Sequence, residues 1–333
     1  MVVTTPRARR RLPVPVVAAL VVLVLAEIAL RVAAPKLGPL NTWNDWEATR
    51  KVEVMDALAA KGGASVVFVG SSMTNAAVDP ELYSQLSGAQ RPAFNAALNG
   101  AATSLLDLWT LGVVVPRLRP EVVVVGLSSR ELNDLGSSSE QAYESVRGSP
   151  GGRSVATDLS PTEWILRAGD YSYLVRYRQR LRSPSTLFDT PPGAVRATAG
   201  PLGTLAALRI FNRPQYLTED FHKNVVPRTL ARYAVGGRAL DALRHMVDEL
   251  RSAGIRIVLV EMPVTQDAID AHPRGAEDYR LFEQILGTFA SRAQVIDAHS
   301  WFEGTAEFAD PFHLNSKGRA RFTRQLDTET EPA

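Results

Sequence analysis

The chain contains no cysteine among its 333 residues. That absence excludes disulfides, thiolate metal sites and a cysteine nucleophile together. A dominant sign of charge is also missing. The formal net charge is +2, and Arg7, Arg9, Arg10 and Arg11 account for more than all of it. The rest of the chain is slightly negative, so no basic face remains for nucleic acid. Neither a Gly-x-Gly-x-x-Gly fingerprint nor a Walker lysine is present. The five histidines form no spaced ligand set, so no metal and no cofactor are expected. Internal repeats are absent as well. With 45% hydrophobic and 22% charged residues, the composition excludes collagen-like, coiled-coil and wholly disordered chains. The length suits one large domain or two small ones.

One long apolar run stands out, the 19 residues from Leu12 to Leu30, whose only ionisable member is Glu27. As a helix it would rise ~28 Å, close to the ~30 Å thickness of a bilayer's hydrocarbon core. The arginines before it keep the N-terminus cytoplasmic and send the remainder across. Glu27 lies near the far end, where it can reach the interface and Arg31. A cleaved signal peptide is one alternative, because Ala33 and Ala34 follow, but the run exceeds the ~7–15 residues usual for such a segment. A buried core helix is another, although nothing polar interrupts the run to give it a wet face. The expectation is a cytoplasmic basic tail over 1–11 and an uncleaved, single-pass membrane anchor over 12–32. A linker and helix would follow over 33–62, with the main domain, 63–333, extracytoplasmic.

Within that domain, β-branched runs recur at Ser65–Val69, Ala93–Ala96, Val122–Val125, Ile255–Val260 and Gln294–Ile296. Continuous apolar runs suit parallel strands covered on both faces. Helical stripes lie between them. Ala239, Leu240, Leu243, Met246, Val247 and Leu250 share one face over Gly237–Arg251, and Gly254 follows as a stop signal. Leu281, Phe282, Ile285, Leu286 and Phe289 make a second stripe. The alternation predicts an α/β/α sandwich whose active site gathers at the carboxyl ends of the strands. From about 133 to 236 the rhythm breaks into Gly- and Pro-rich stretches with scattered aromatics. This segment is expected to be an insertion, either a roof over a site or a spacer.

Two segments carry chemistry. The first strand runs into Val69-Gly70-Ser71-Ser72-Met73-Thr74. A strand, a small-residue turn and a helix aim backbone N–H groups at a serine, which suits a nucleophile and its oxyanion. An ordinary turn or a phosphate site would read similarly. Near the C-terminus stands Asp310-Pro311-Phe312-His313-Leu314-Asn315-Ser316-Lys317-Gly318. A carboxylate three residues before a histidine can orient the imidazole while its other nitrogen faces a nucleophile. His299 is the rival base, and His222, His245 and His272 are expected on the surface.

These residues resemble the SGNH or GDSL hydrolases, esterases and acyltransferases on a flavodoxin-like sandwich. That family's first block, Gly-Asp-Ser-x-Thr/Ser, is matched by Gly70-Ser71-Ser72-Met73-Thr74 with Ser71 in place of Asp. The resemblance implies that Ser72 is the nucleophile. Asn95-Ala96-Ala97-Leu98-Asn99-Gly100 fits the second block, Asn-x-Gly-x-x-Gly, apart from Ala97. It implies that the Gly100 N–H joins the Ser72 N–H in the oxyanion hole. Asp310, His313, Leu314, Asn315 and Gly318 match the last block, Asp-x-x-His-Leu-Asn-x-x-Gly, which implies Asp310 and His313 as triad partners.

The third block departs from the pattern. Where the family has Asn-Asp, with Asn as an oxyanion donor, this chain has Arg130-Glu131. The candidates for the missing donor are Arg130, the Ser129 hydroxyl and Asn133; alternatively Arg130 pairs with Glu131 and serves no substrate. The leading expectation is a membrane-anchored extracytoplasmic esterase or O-acyltransferase using Ser72, His313 and Asp310 on acyl esters. Acetyl esters of cell-envelope glycans are the expected substrate. The altered block also admits a non-catalytic glycan-binding or scaffold protein on the same fold, and a lipase is a third reading.

Overall fold

Valine-rich segments that lack a polar face must be covered on both sides, and the computed structural model arranges them accordingly. It describes residues 13–88, 91–197, 199–204 and 215–330. The expected tail over 1–11 lies outside them, as do residues 205–214 of the expected insertion. Five strands form one parallel sheet: β1 (Val66–Val69), β2 (Ala93–Asn95), β3 (Val122–Leu127), β4 (Arg256–Glu261) and β5 (Gln294–Asp297). Their order is β2-β1-β3-β4-β5, the flavodoxin-like arrangement whose switch point falls between β1 and β3. Every residue of β3 and β4 after the first is buried, as a doubly covered sheet requires. The fold is therefore an α/β sandwich.

The helical stripe of the Arg238–Ser252 helix buries the six apolar residues its spacing assigned to one face. In the Ala276–Gly287 helix, Phe282 and Leu286 are buried, joined by Tyr279 and Asp278. Leu281 and Ile285 are only partly buried.

The chain divides into two compact units. The larger comprises Asn41–Asp158 and Pro192–Ala333 and holds the sheet. Helix α2 (Trp46–Ala59) belongs to it and buries Ala48, Lys51 and Met55, so the segment expected as linker and helix is here part of the sheet unit from Asn41 onward. The smaller unit comprises Met1–Leu40 and Leu159–Pro191. It contains helix α1 (Val14–Ala33) and two short helices, Pro161–Gly169 and Tyr173–Leu181. The segment expected as one insertion is thus shared between the units. Helix α1, extended by a 3₁₀ turn to Lys36, is long and apolar enough to cross a membrane or to act as a signal sequence.

Candidate active site

Gly70 ends β1 at a point where a side chain has no room. A Cβ there would collide with the Thr74 hydroxyl and lie 2.9 Å from the Gly126 carbonyl oxygen of β3. The tight turn passes directly into helix α3 (Ser72–Ala77), with Ser71 as its N-cap accepting from the Met73 N–H at 3.3 Å. Ser72 is therefore the first helical residue, and its N–H has no partner within the helix.

On the other side, strands β6 (Phe308–Asp310) and β7 (His313–Leu314) pair antiparallel. Between them Asp310 Oδ1 accepts the backbone N–H groups of Phe312 and His313 at 2.9 and 3.0 Å. Asn315 fastens this hairpin: its amide donates to Ala306 O, and its Oδ1 accepts the Lys317 and Gly318 N–H groups that open the final helix. Leu314 is buried, and a side chain at Gly318 would strike the Glu307 carbonyl. Asp310, Leu314, Asn315 and Gly318 thus each have a local structural reason.

The two segments meet at the side chains. Ser72 Oγ lies 2.8 Å from His313 Nε2. His313 Nδ1 lies 2.8 Å from both carboxylate oxygens of Asp310. Burial works against ionisation of Asp310. The charge of His313 and the hydrogen bonds from His313 and Phe312 outweigh it, holding the carboxyl below the ordinary aspartate range.

The segment after β2 completes the arrangement. The Leu98 N–H donates to Gly70 O at 2.9 Å, and Asn95 Oδ1 accepts the Ala97 N–H at 3.1 Å. Gly100 follows with φ +75°, a left-handed conformation costly for other residues. Among the described residues, neither the Ser72 N–H nor the Gly100 N–H donates to another group.

Beneath this segment lies an ionic cluster that sequence reasoning missed. Lys51, with no solvent exposure, donates from Nζ to Ala97 O and to Asn75 Oδ1. Glu47 accepts from Asn75 Nδ2 at 2.6 Å and from the Asn99 N–H at 3.1 Å, and its Oε1 lies 3.6 Å from Lys51 Nζ. Burial pushes the Glu47 carboxyl up and the Lys51 ammonium down, and their mutual attraction opposes both shifts. Helix α2 thereby binds α3, through Asn75, to the Asn95–Gly100 segment. A sequence signal existed, since Ala48, Lys51 and Met55 follow helical spacing and put a lysine in an apolar stripe.

The altered third block resolves into separate tasks. Ser128 donates from its N–H and Oγ to Glu131 Oε2 at 2.7 and 2.6 Å. Arg130 donates to Glu131 Oε1 from Nε at 2.9 Å and from a terminal nitrogen at 2.6 Å. The same terminal nitrogen donates to Ser71 Oγ at 2.8 Å, and the guanidinium stands 5.2 Å from the Phe312 ring centre. Arg130 therefore pairs with Glu131 and also touches both segments of the site.

Ser129 and Asn133, considered as oxyanion donors, are engaged elsewhere. Ser129 Oγ lies 2.8 Å from His272 Nε2. Asn133 donates to Thr229 O and Arg232 O and accepts from the Leu135 and Ala234 N–H groups, tying down the 229–234 loop. His272 corrects a second expectation. It is buried, not superficial, with Nδ1 on the carbonyls of Ala268 and Ile269, and burial holds its pKa below the ordinary value. His222 and His245 are exposed. His299, the rival base, packs against the Tyr279 ring at 5.5 Å.

No protein-family model matches the chain, and no curated protein matches it. Among solved structures it is similar to a GDSL-like lipase from Bacteroides thetaiotaomicron VPI-5482, with 11% identity, 86% of this chain and 100% of that chain covered, and a TM-score of 0.42. A carbohydrate acetylesterase family member from Sinorhizobium meliloti is similar at 12% identity over 80% of this chain and 96% of that one, with a TM-score of 0.38. An esterase from Pseudoalteromonas sp. is similar at 11% identity over 79% and 94%, with a TM-score of 0.34. The chemistry of the site rests on its side-chain geometry, not on these likenesses.

Proposed function

We propose that this chain is a serine esterase or O-acyltransferase, held at the outer face of the cell membrane by α1 and acting on acetyl esters of cell-envelope glycans. The observation that carries this reading is the continuous contact from Asp310 through His313 to Ser72. With its Nδ1 proton held by Asp310, the imidazole presents a lone pair at Nε2 to the serine hydroxyl. As Ser72 Oγ attacks the ester carbonyl, its proton passes to His313 Nε2. The oxyanion forms beside the uncommitted N–H groups of Ser72 and Gly100. The imidazolium then protonates the leaving alcohol, and the acetyl group stays on Ser72. Water or a sugar hydroxyl, deprotonated by His313, completes the cycle. The glycan substrate and the location are suggested by the anchor and by the family resemblance.

Fluorophosphonate labelling of the full chain in detergent tests the reading. Wild type and Ser71→Ala should label, whereas Ser72→Ala and His313→Ala should not. No labelling of a folded wild type would overturn it. The chain would then be a binding protein on a degenerate site, a second reading favoured by the Arg130–Glu131 pair that replaces the usual asparagine. Hydrolysis and transfer separate on adding an oligosaccharide acceptor, which a transferase should acetylate.

A further inference from the structure

We propose that the Pro161–Gly169 and Tyr173–Leu181 helices form an interfacial membrane element, lying in the phospholipid headgroup layer beside the outer end of α1. The inference rests on reading α1 as membrane-spanning and goes beyond the catalytic reading.

The first observation is where the pair is fastened. Glu27 of α1 accepts the Tyr173 N–H at 2.9 Å, the Leu174 N–H at 3.0 Å and the Ser172 hydroxyl at 2.9 Å. Arg31 bonds the same carboxylate at 2.8 Å and donates to Tyr171 O at 2.8 Å. The carboxylate thus caps the second short helix from outside it. Glu27 lies ~9 Å along the axis before the last residue of α1. The capped helix therefore begins at the level of the outermost turns of α1, where apolar chain gives way to headgroup. A lone carboxylate at mid-bilayer would be costly, and one that holds four donors at this depth is not.

The second observation is what the pair leaves uncovered. Trp164, Ile165 and Tyr171 are 55%, 73% and 72% exposed, with Leu166 beside them. The Pro161–Gly169 helix buries no residue at all. Apolar surface concentrated on so short an element calls for a partner.

The third observation is the company these residues keep. Arg167 stands 5.1 Å from the Trp164 ring centre, and Arg31 and Arg176 each stand 4.9 Å from that of Tyr173. Arg178 and Arg182 are exposed in or beside the second helix, which contains no acidic residue. Arginines set against Trp and Tyr, above an exposed apolar group, match an interface of acyl chains below and phosphates above. Continuity with α1 and this charge complement commit the surface to a phospholipid bilayer.

Because the chain has no cysteine, single nitroxide labels can be placed without removing any. The full chain carrying Ile165→Cys, Leu23→Cys or Arg324→Cys would be reconstituted into vesicles of phosphatidylcholine and phosphatidylglycerol. Collision with oxygen and with a water-soluble nickel chelate would then be measured. The label at 165 should meet nickel several-fold less often than that at 324, and oxygen more often. If 165 is as open to nickel as 324 while 23 lies in lipid, the interfacial element is refuted and the anchor stands. A label at 165 shielded from both reagents would mean a protein partner and would also refute it. A label at 23 open to nickel would refute the anchor itself.

Discussion

The ammonium of Lys51 donates to the carbonyl oxygen of Ala97, and both residues are wholly buried. A charge from a helix that precedes the first strand thus holds the backbone three residues before Gly100. In the proposed reaction that segment presents the Gly100 N–H to the oxyanion. Neither the family-like blocks nor the strand pattern contains this helix.

Lys51→Met should therefore be a double lesion. It leaves Glu47 buried without its cation, costing about 3–5 kcal/mol, and it frees the carbonyl of Ala97. Urea unfolding of the full chain should show the loss, and kcat on a soluble acetyl ester should fall more than KM changes. Adding Glu47→Gln should recover about 0.5–3 kcal/mol of it, because the two sites interact directly.

Replacing the carboxylate of the proposed triad tests the role of the short hairpin. In Asp310→Asn the amide can turn a donor toward His313 Nδ1, which drives the imidazole proton to Nε2. That tautomer cannot accept from Ser72, so kcat should fall by about 10⁴-fold with the fold retained. Circular dichroism together with ester turnover would separate rate from folding.

The third block makes opposite predictions for neighbours. Ser129→Ala removes the donor to buried His272 Nε2 and should cost about 1–3 kcal/mol of stability, with fluorophosphonate labelling unchanged. Arg130→Met breaks the contact with Ser71 and the pair with Glu131. It should lower kcat by about 10²-fold if the guanidinium supports the oxyanion side of the site. Equal labelling rates for these two variants would remove Arg130 from the mechanism.

Stability should fall as pH rises from about 4.5 to neutral. Burial, reinforced by the charges of Asp297 and Glu283, pushes the Glu261 carboxyl from 4.5 up to about 7, against the Tyr279 hydroxyl that donates to it. A raised folded pKa means the native state binds a proton the unfolded state has released. Its contribution is complete below about pH 4.5 and is lost as pH rises through about 7. The size is about 3 kcal/mol. Wild type should lose that much between about pH 4.5 and just above pH 7, and Glu261→Gln should flatten the curve.

Local pattern carried much of this protein into view. The strands are valine-rich because both faces of a parallel sheet are covered, and that requirement is visible in any window of a few residues. The Asp310–Gly318 block is legible for the same reason. The hydrogen bonds that Asp310 makes span two or three positions, so residue spacing already implies the turn that brings it against His313. Gly70 and Gly318 sit where neighbouring backbone excludes a side chain.

Other features were settled only by tertiary packing. His272 lies among polar neighbours in sequence, yet Tyr233 and Ser129 from distant segments meet its ring. Ser129, Arg130 and Asn133 were equivalent candidates on paper. One met a histidine, one met Ser71 beside the proposed nucleophile, and one met a loop a hundred residues away. The sequence by itself determined the strands, the apolar N-terminal helix and the short blocks, because these depend on periodicity and near-neighbour hydrogen bonds. Tertiary structure decided the buried charges, the fate of the third block and the capping of a distant helix by Glu27, because burial and pairing depend on which remote surfaces meet.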